Sequence, residues 1–145
     1  MPKRSAHTSW TGGLQDGTGR VAFVSSGQGV FDVSFPKRAA EDADGVTSPE
    51  ELIAAAHSAC YSMSLTGAIA RAGATPVGLE VDATVSLDPD PAGGFRISSV
   101  ALRVVGQVDG LDAEGFALAA ETAKANCPVS KALTGTTITL EASLA

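Results

Sequence analysis

A chain of 145 residues with 44% hydrophobic and 18% charged side chains is long enough to bury a real core and too apolar to be disordered. Its formal net charge of -6 argues against a nucleic-acid or anionic-membrane partner, because phosphate recognition needs a net positive field. The basic pair Lys3-Arg4 runs into Trp10, Thr11 and Gly12 rather than an apolar targeting region, and no segment approaches 18 uninterrupted apolar residues, so a soluble cytoplasmic protein is expected.

In chain order, Gly12-Gly13, Asp16-Gly17 and Gly27-Gln28-Gly29 separate short strand-like runs around Arg20–Ser25 and Val30–Phe35. These read as antiparallel hairpins. From Pro36 to Ser48 the chain turns polar, with Glu41, Asp42, Asp44 and Gly45, and reads as a loop. Ser48 then opens the strongest helix signal. A serine N-cap, Pro49 at the first helical position and Glu51 three residues after the cap make a capping box. The helix is expected to reach about Arg71, with Gly73 stopping it. It is small or apolar on nearly every face from Leu52 to Ala70, which marks a buried helix. A domain this small covers such a helix with difficulty, and a second subunit is a natural source of cover.

After Pro76 the pattern changes to period two. Leu79, Val81, Ala83, Val85 and Leu87 alternate with polar residues, as in a half-exposed strand. The turn Pro89 to Gly94 leads to Phe95 and Ile97, after which the apolar parity shifts to Val100, Leu102, Val104 and Val108. A one-residue change of phase turns a strand face outward, so a bulge is predicted at Ser98-Ser99. A helix from about Asp112 to Asn126, a short helix from Cys127 with Pro128 first, and a final strand from Thr136 to Leu144 complete the chain. No repeat or linker interrupts it, and residues 1–145 read as a single α+β domain.

The two cysteines carry the chemical argument. The thiolate, not the thiol, is the nucleophile, and cations or helix N-termini depress its pKa from about 8.5. Cys60 lies mid-helix, so its own helix terminus cannot help it. It needs an arginine or equivalent cation brought by tertiary structure. Cys127 precedes Pro128, which places its sulfur at a helix start, where amides favour negative charge. In a reducing compartment a pair like this is open to catalytic, redox-sensing and buried-filler readings. His57, one turn before Cys60, reads as a hydrogen-bonded core or interface histidine rather than a base. No Cys-x-x-Cys or His-x-x-x-His spacing suggests a metal.

The stretch Thr47-Ser48-Pro49-Glu50-Glu51-Leu52-Ile53-Ala54-Ala55-Ala56-His57-Ser58-Ala59-Cys60 resembles the signature of the OsmC/Ohr family, osmotically inducible protein C and organic hydroperoxide resistance protein. Cys127-Pro128-Val129-Ser130-Lys131-Ala132-Leu133 resembles that family's resolving-cysteine segment. The Glu50-Glu51-Leu-Ile-Ala-Ala-Ala-His run is more similar to the OsmC branch. The resemblance implies an OsmC-like fold, in which antiparallel sheets wrap long central helices in an intertwined homodimer. It also implies a thiol-dependent peroxidase acting on organic hydroperoxides and, less efficiently, on hydrogen peroxide. Carried over by position, Cys60 is the peroxidatic thiol and Cys127 the resolving thiol. Glu50 is the helix-start carboxylate and Arg38 the active-site cation, with Lys37 and Arg20 as neighbouring candidates. No cofactor or metal is implied, and an external dithiol is the implied reductant. Ten residues of helix rise ~15 Å, so any contact of Glu50 with the Cys60 site is expected across the dimer or through Arg38. On the same fold, a peroxide sensor or apolar-ligand-binding protein without turnover is the alternative. A third reading is a structural dimer with inert thiols.

Overall fold

The computed structural model describes residues 1–145, which divide into two compact units, Met1–Leu52 and Ile53–Ala145. The architecture is α+β, with one three-stranded sheet in each unit.

The first unit is a small antiparallel sheet, β1 (His7–Thr11), β2 (Thr18–Ala22) and β3 (Val30–Val33), in that spatial order. β1 was not expected. All five of its residues are exposed, and with Trp10 the one large apolar side chain among His7, Thr8, Ser9 and Thr11 it carries no period-two signal. The stretch from Pro36 onward, expected to be loop, begins inside a one-turn helix, α1 (Phe35–Arg38), capped by the Ser34 hydroxyl, which accepts from the Lys37 amide at 3.3 Å. A proline near the start of so short a helix suits its fixed φ. After the loop, the Thr47 amide donates to the Asp32 carbonyl beside β3. That bond sets the start of the long helix α2 (Pro49–Arg71) against the same sheet.

The helix α2 has the predicted boundaries. The Ser48 hydroxyl accepts from the Glu51 amide at 3.1 Å, one half of the capping box. The other half differs, because the Glu51 carboxylate takes the Thr47 hydroxyl.

In the second unit, β4 (Thr75–Pro89) and β5 (Phe95–Asp109) form a long antiparallel hairpin, and β6 (Thr137–Leu144) pairs in parallel with β5. The sheet is therefore mixed. The parallel pair needs a crossover, which α3 (Ala113–Asn126) and α4 (Pro128–Ala132) provide. Pairing passes from Ser86↔Ser99 to Leu87↔Ile97, so Ser98 is the extra residue and the bulge falls where the change of phase puts it. Past it, Val100, Leu102 and Val104 all face inward, no more than 2% exposed. They pack with Tyr61, Leu65 and Ile69 of α2 and Phe116 of α3, each such burial stabilising by roughly 1.5–3 kcal/mol.

Inside that core β5 must pass very close to α3. A Cβ added to Gly106 would lie 2.5 Å from Phe116 Cζ, and the Phe116 ring is fully buried with nowhere to retreat. Gly106→Ala is therefore expected to destabilise the chain by about 1–3 kcal/mol, read as a lower urea midpoint at fixed protein concentration. An unchanged midpoint would mean that the ring relaxes freely.

By length and composition α2 also meets the requirement for crossing a bilayer. Its buried residues are confined to one side of the helix, including His57, Tyr61, Leu65 and Ile69, while Met63 is 76% exposed. The chain alone thus leaves uncovered much of a helix whose composition predicts burial.

Candidate functional site

In the first unit the end of α1 meets the start of α2. Arg38 Nε donates to both carboxylate oxygens of Glu50, at 3.1 and 3.2 Å, and its terminal nitrogen donates to Oε1 at 2.7 Å. A planar guanidinium matched to a planar carboxylate fixes orientation as well as distance. Glu50 is 8% exposed, and its hydrogen bonds raise the pKa of Arg38 further above the ordinary arginine range. The neighbouring cations are engaged elsewhere, Arg20 with Asp32 at 3.4 Å and Lys37 with Asp44 at 2.9 Å. Of the three basic candidates, Arg38 alone is paired with Glu50. Beside it lies a cavity of about 280 Å³ lined by Trp10, Val21, Val33, Phe35 and Leu52 as well as Arg38. The cavity is mostly apolar, with Thr8 and Ser34 joining Arg38 as its polar lining.

In the second unit the two cysteines come together although 67 positions separate them in sequence. Both are free thiols, Cys127 fully buried and Cys60 partly exposed, and each sulfur lies close enough to act on the ionisation of the other. Burial pushes the Cys60 thiol up from its ordinary value. The Val129 amide and the Ser64 hydroxyl oppose that shift, and the Cys127 sulfur adds to it. None of these neighbours is a cation.

Cys127 behaves oppositely. Burial opposes its ionisation, but the Ser130 amide, the Cys60 thiol, the Ser130 hydroxyl and the Val129 amide outweigh it, so its pKa falls below the ordinary thiol value. The sulfur makes no formal capping bond to α4. Lying at the helix start, it still has the first free amides within electrostatic reach. Within the unit taken alone, the surroundings favour the thiolate more at Cys127 than at Cys60.

The resemblance noted in the sequence can now be tested. Residues 42–141 match the family described as OsmC-like protein. The chain belongs to the OsmC-like family. It is 40% identical over 131 residues to the peroxiredoxin OsmC of Escherichia coli (strain K12), covering 90% of this chain and 88% of that one. It is 36% identical over 128 residues to the organic hydroperoxide resistance protein OhrA of Bacillus subtilis (strain 168), covering 85% and 88%. Among solved structures, the organic hydroperoxide resistance protein OhrB of Bacillus subtilis superimposes with a TM-score of 0.75 at 31% identity, covering 95% of this chain and 97% of that one. The OsmC-like fold is thereby shown.

One residue of this OsmC-like chain was not singled out from sequence. Ser130, quoted only as part of a motif, accepts or donates a 2.8 Å hydrogen bond with His57 Nε2 in the buried interior. His57 is indeed a hydrogen-bonded core histidine, fully buried, with its pKa lowered by that burial. The one available signal for Ser130 was its place three residues after Cys127, which puts it on the first turn of α4 facing the cysteine.

Proposed function

We propose that this protein is a cysteine-based peroxidase that reduces organic hydroperoxides, and hydrogen peroxide less efficiently. It would act as a cytoplasmic homodimer in which residues 1–145 form one OsmC-like domain per subunit. The observation that carries the reading is the proximity of Cys60 and Cys127, each of which acts on the ionisation of the other. The Cys60 thiolate attacks one peroxide oxygen and the O–O bond breaks. The alkoxide takes a proton and leaves as the alcohol, and Cys60 is left as a sulfenic acid. Cys127 then attacks the Cys60 sulfur, the S–O bond breaks, hydroxide is protonated to water, and the disulfide is reduced by an external dithiol.

Arg38, held by Glu50, supplies the positive charge that Cys60 lacks within its own unit, stabilising both the thiolate and the departing oxygen. Ten residues of helix between Glu50 and Cys60 rise ~15 Å, so the pair is proposed to serve the Cys60 of the partner subunit. The uncovered side of α2 supports a dimer, and the apolar cavity beside Arg38 supports a substrate with a hydrocarbon body and a polar peroxide head. Names of relatives, peroxiredoxin OsmC and organic hydroperoxide resistance protein OhrA, point the same way.

The test is a steady-state assay with an alkyl hydroperoxide and excess dithiol. An enzyme consumes many equivalents per subunit, whereas a sensor stops after one. Consumption of a single equivalent, or none, overturns the proposal.

A further inference from the structure

The mechanism above leaves two buried titratable groups unused, Tyr61, whose hydroxyl donates to the Ala120 carbonyl, and His57. His57 is fully buried on α2, its Nε2 lies 2.8 Å from Ser130 Oγ, and its Nδ1 has no partner. Ser130, on α4, is 6% exposed and follows Cys127, the residue that caps that helix, by three positions. So placed, it links α2 to the surroundings of the buried sulfur.

The proton count decides what the link does. A neutral imidazole carries one N–H, on Nδ1 or on Nε2. Placing it on Nδ1 would bury an N–H with no acceptor, the costlier kind of orphan. Placing it on Nε2 leaves a bare ring nitrogen at Nδ1 and makes His57 the donor to Ser130 Oγ. Burial favours the neutral ring by lowering its pKa. A serine hydroxyl has a single proton. With its oxygen accepting from His57, that proton is turned away from α2 and is free for the sulfur one helical turn back.

We propose that His57 is a positioning residue for Cys127: its Nε2–H holds the Ser130 oxygen so that the hydroxyl proton is donated to the Cys127 sulfur and favours its thiolate. The Ser130 hydroxyl is among the groups that hold the Cys127 pKa down, which agrees with this direction of donation. The other titratable groups facing Cys127 are Cys60 and Tyr61 of α2. In a chain carrying Cys60→Ser only Tyr61 remains, and burial raises its pKa, so the phenol stays neutral there. The inference rests on the reading of Cys127 as the resolving thiol, because it gives that thiol its readiness to attack the sulfenic acid.

The experiment is a pH titration of the Cys127 thiolate by its ultraviolet absorbance in the full chain carrying Cys60→Ser, which leaves one titrating sulfur. Added to that background, Ser130→Ala is expected to raise the midpoint by about one pH unit. His57→Asn, whose amide nitrogen replaces Nδ1, and His57→Phe should raise it similarly. His57→Gln, whose amide nitrogen replaces Nε2, should restore it. Ser130→Ala combined with His57→Phe should shift no further than Ser130→Ala alone, since both act through one hydroxyl. A purely structural role would make glutamine and asparagine behave alike, and that result overturns the proposal. An unshifted midpoint in Ser130→Ala overturns it too, and that variant serves if those at His57 do not fold. The titration needs no peroxide, so a wild type that fails to turn over hydroperoxide defeats the peroxidase reading and leaves this measurement independent.

Discussion

Cys60→Ser is expected to lower hydroperoxide turnover by about 1,000-fold or more, a loss of roughly 4 kcal/mol in transition-state stabilisation. A serine hydroxyl is scarcely ionised near neutrality and oxygen is a poor nucleophile toward peroxide oxygen, so the first bond cannot form. Cys127→Ser should behave differently. Cys60 is still oxidised and one equivalent of alcohol is released, but no internal sulfur condenses with the sulfenic acid, and further peroxide drives it toward sulfinic acid. Intact mass should therefore show successive oxygen additions at Cys60 in Cys127→Ser and none at residue 60 in Cys60→Ser. Because burial raises the Cys60 pKa while Cys127 sits lower, a rival assignment has Cys127 attack peroxide first. Full single-turnover oxidation in Cys60→Ser would establish that rival and reverse the roles given to the two sulfurs.

Much of this arrangement was legible in the residues because the signals were local and mutually consistent. Ser48, Pro49 and Gly73 bound α2, and the parity change after Ile97 located the bulge at Ser98. Pro128 after Cys127 put the second sulfur at a helix start. What escaped was either non-periodic or long-range. β1 exposes every side chain, so no alternation betrays it, and its existence depends on pairing with β2. The parallel placement of β6 depends on where α3 and α4 return the chain, which no residue of β6 encodes. The hydrogen bond of His57 to Ser130 joins positions 73 apart. Spacing along one helix suggested His57 as a neighbour of Cys60, whereas its hydrogen bond is made to the helix that carries the other cysteine.

The cation is the remaining element, and its test can also locate it. Arg38→Met is expected to lower kcat/KM by about 100- to 1,000-fold, the usual cost of losing a preorganised charge at a developing anion. Arg38→Lys should recover little, because a single ammonium cannot engage both Glu50 oxygens and keep its direction. Arg38→Met strands a nearly buried carboxylate, so the double variant with Glu50→Gln is the control that removes the unpaired charge. If the Arg38–Glu50 pair only stabilises the first unit, both variants shift the melting temperature and leave turnover intact. Hybrid dimers decide which chain the guanidinium serves. Mixing Cys60→Ser with Arg38→Met subunits, each inactive by itself, makes dimers that retain one good Cys60 and one good Arg38 on opposite chains. If the guanidinium acts across the interface, each hybrid contains one complete site, and random exchange restores about a quarter of wild-type activity. If it acts within its own chain, no complete site exists and the mixture stays at background. That result would overturn the assignment of Arg38 to the Cys60 of the partner subunit.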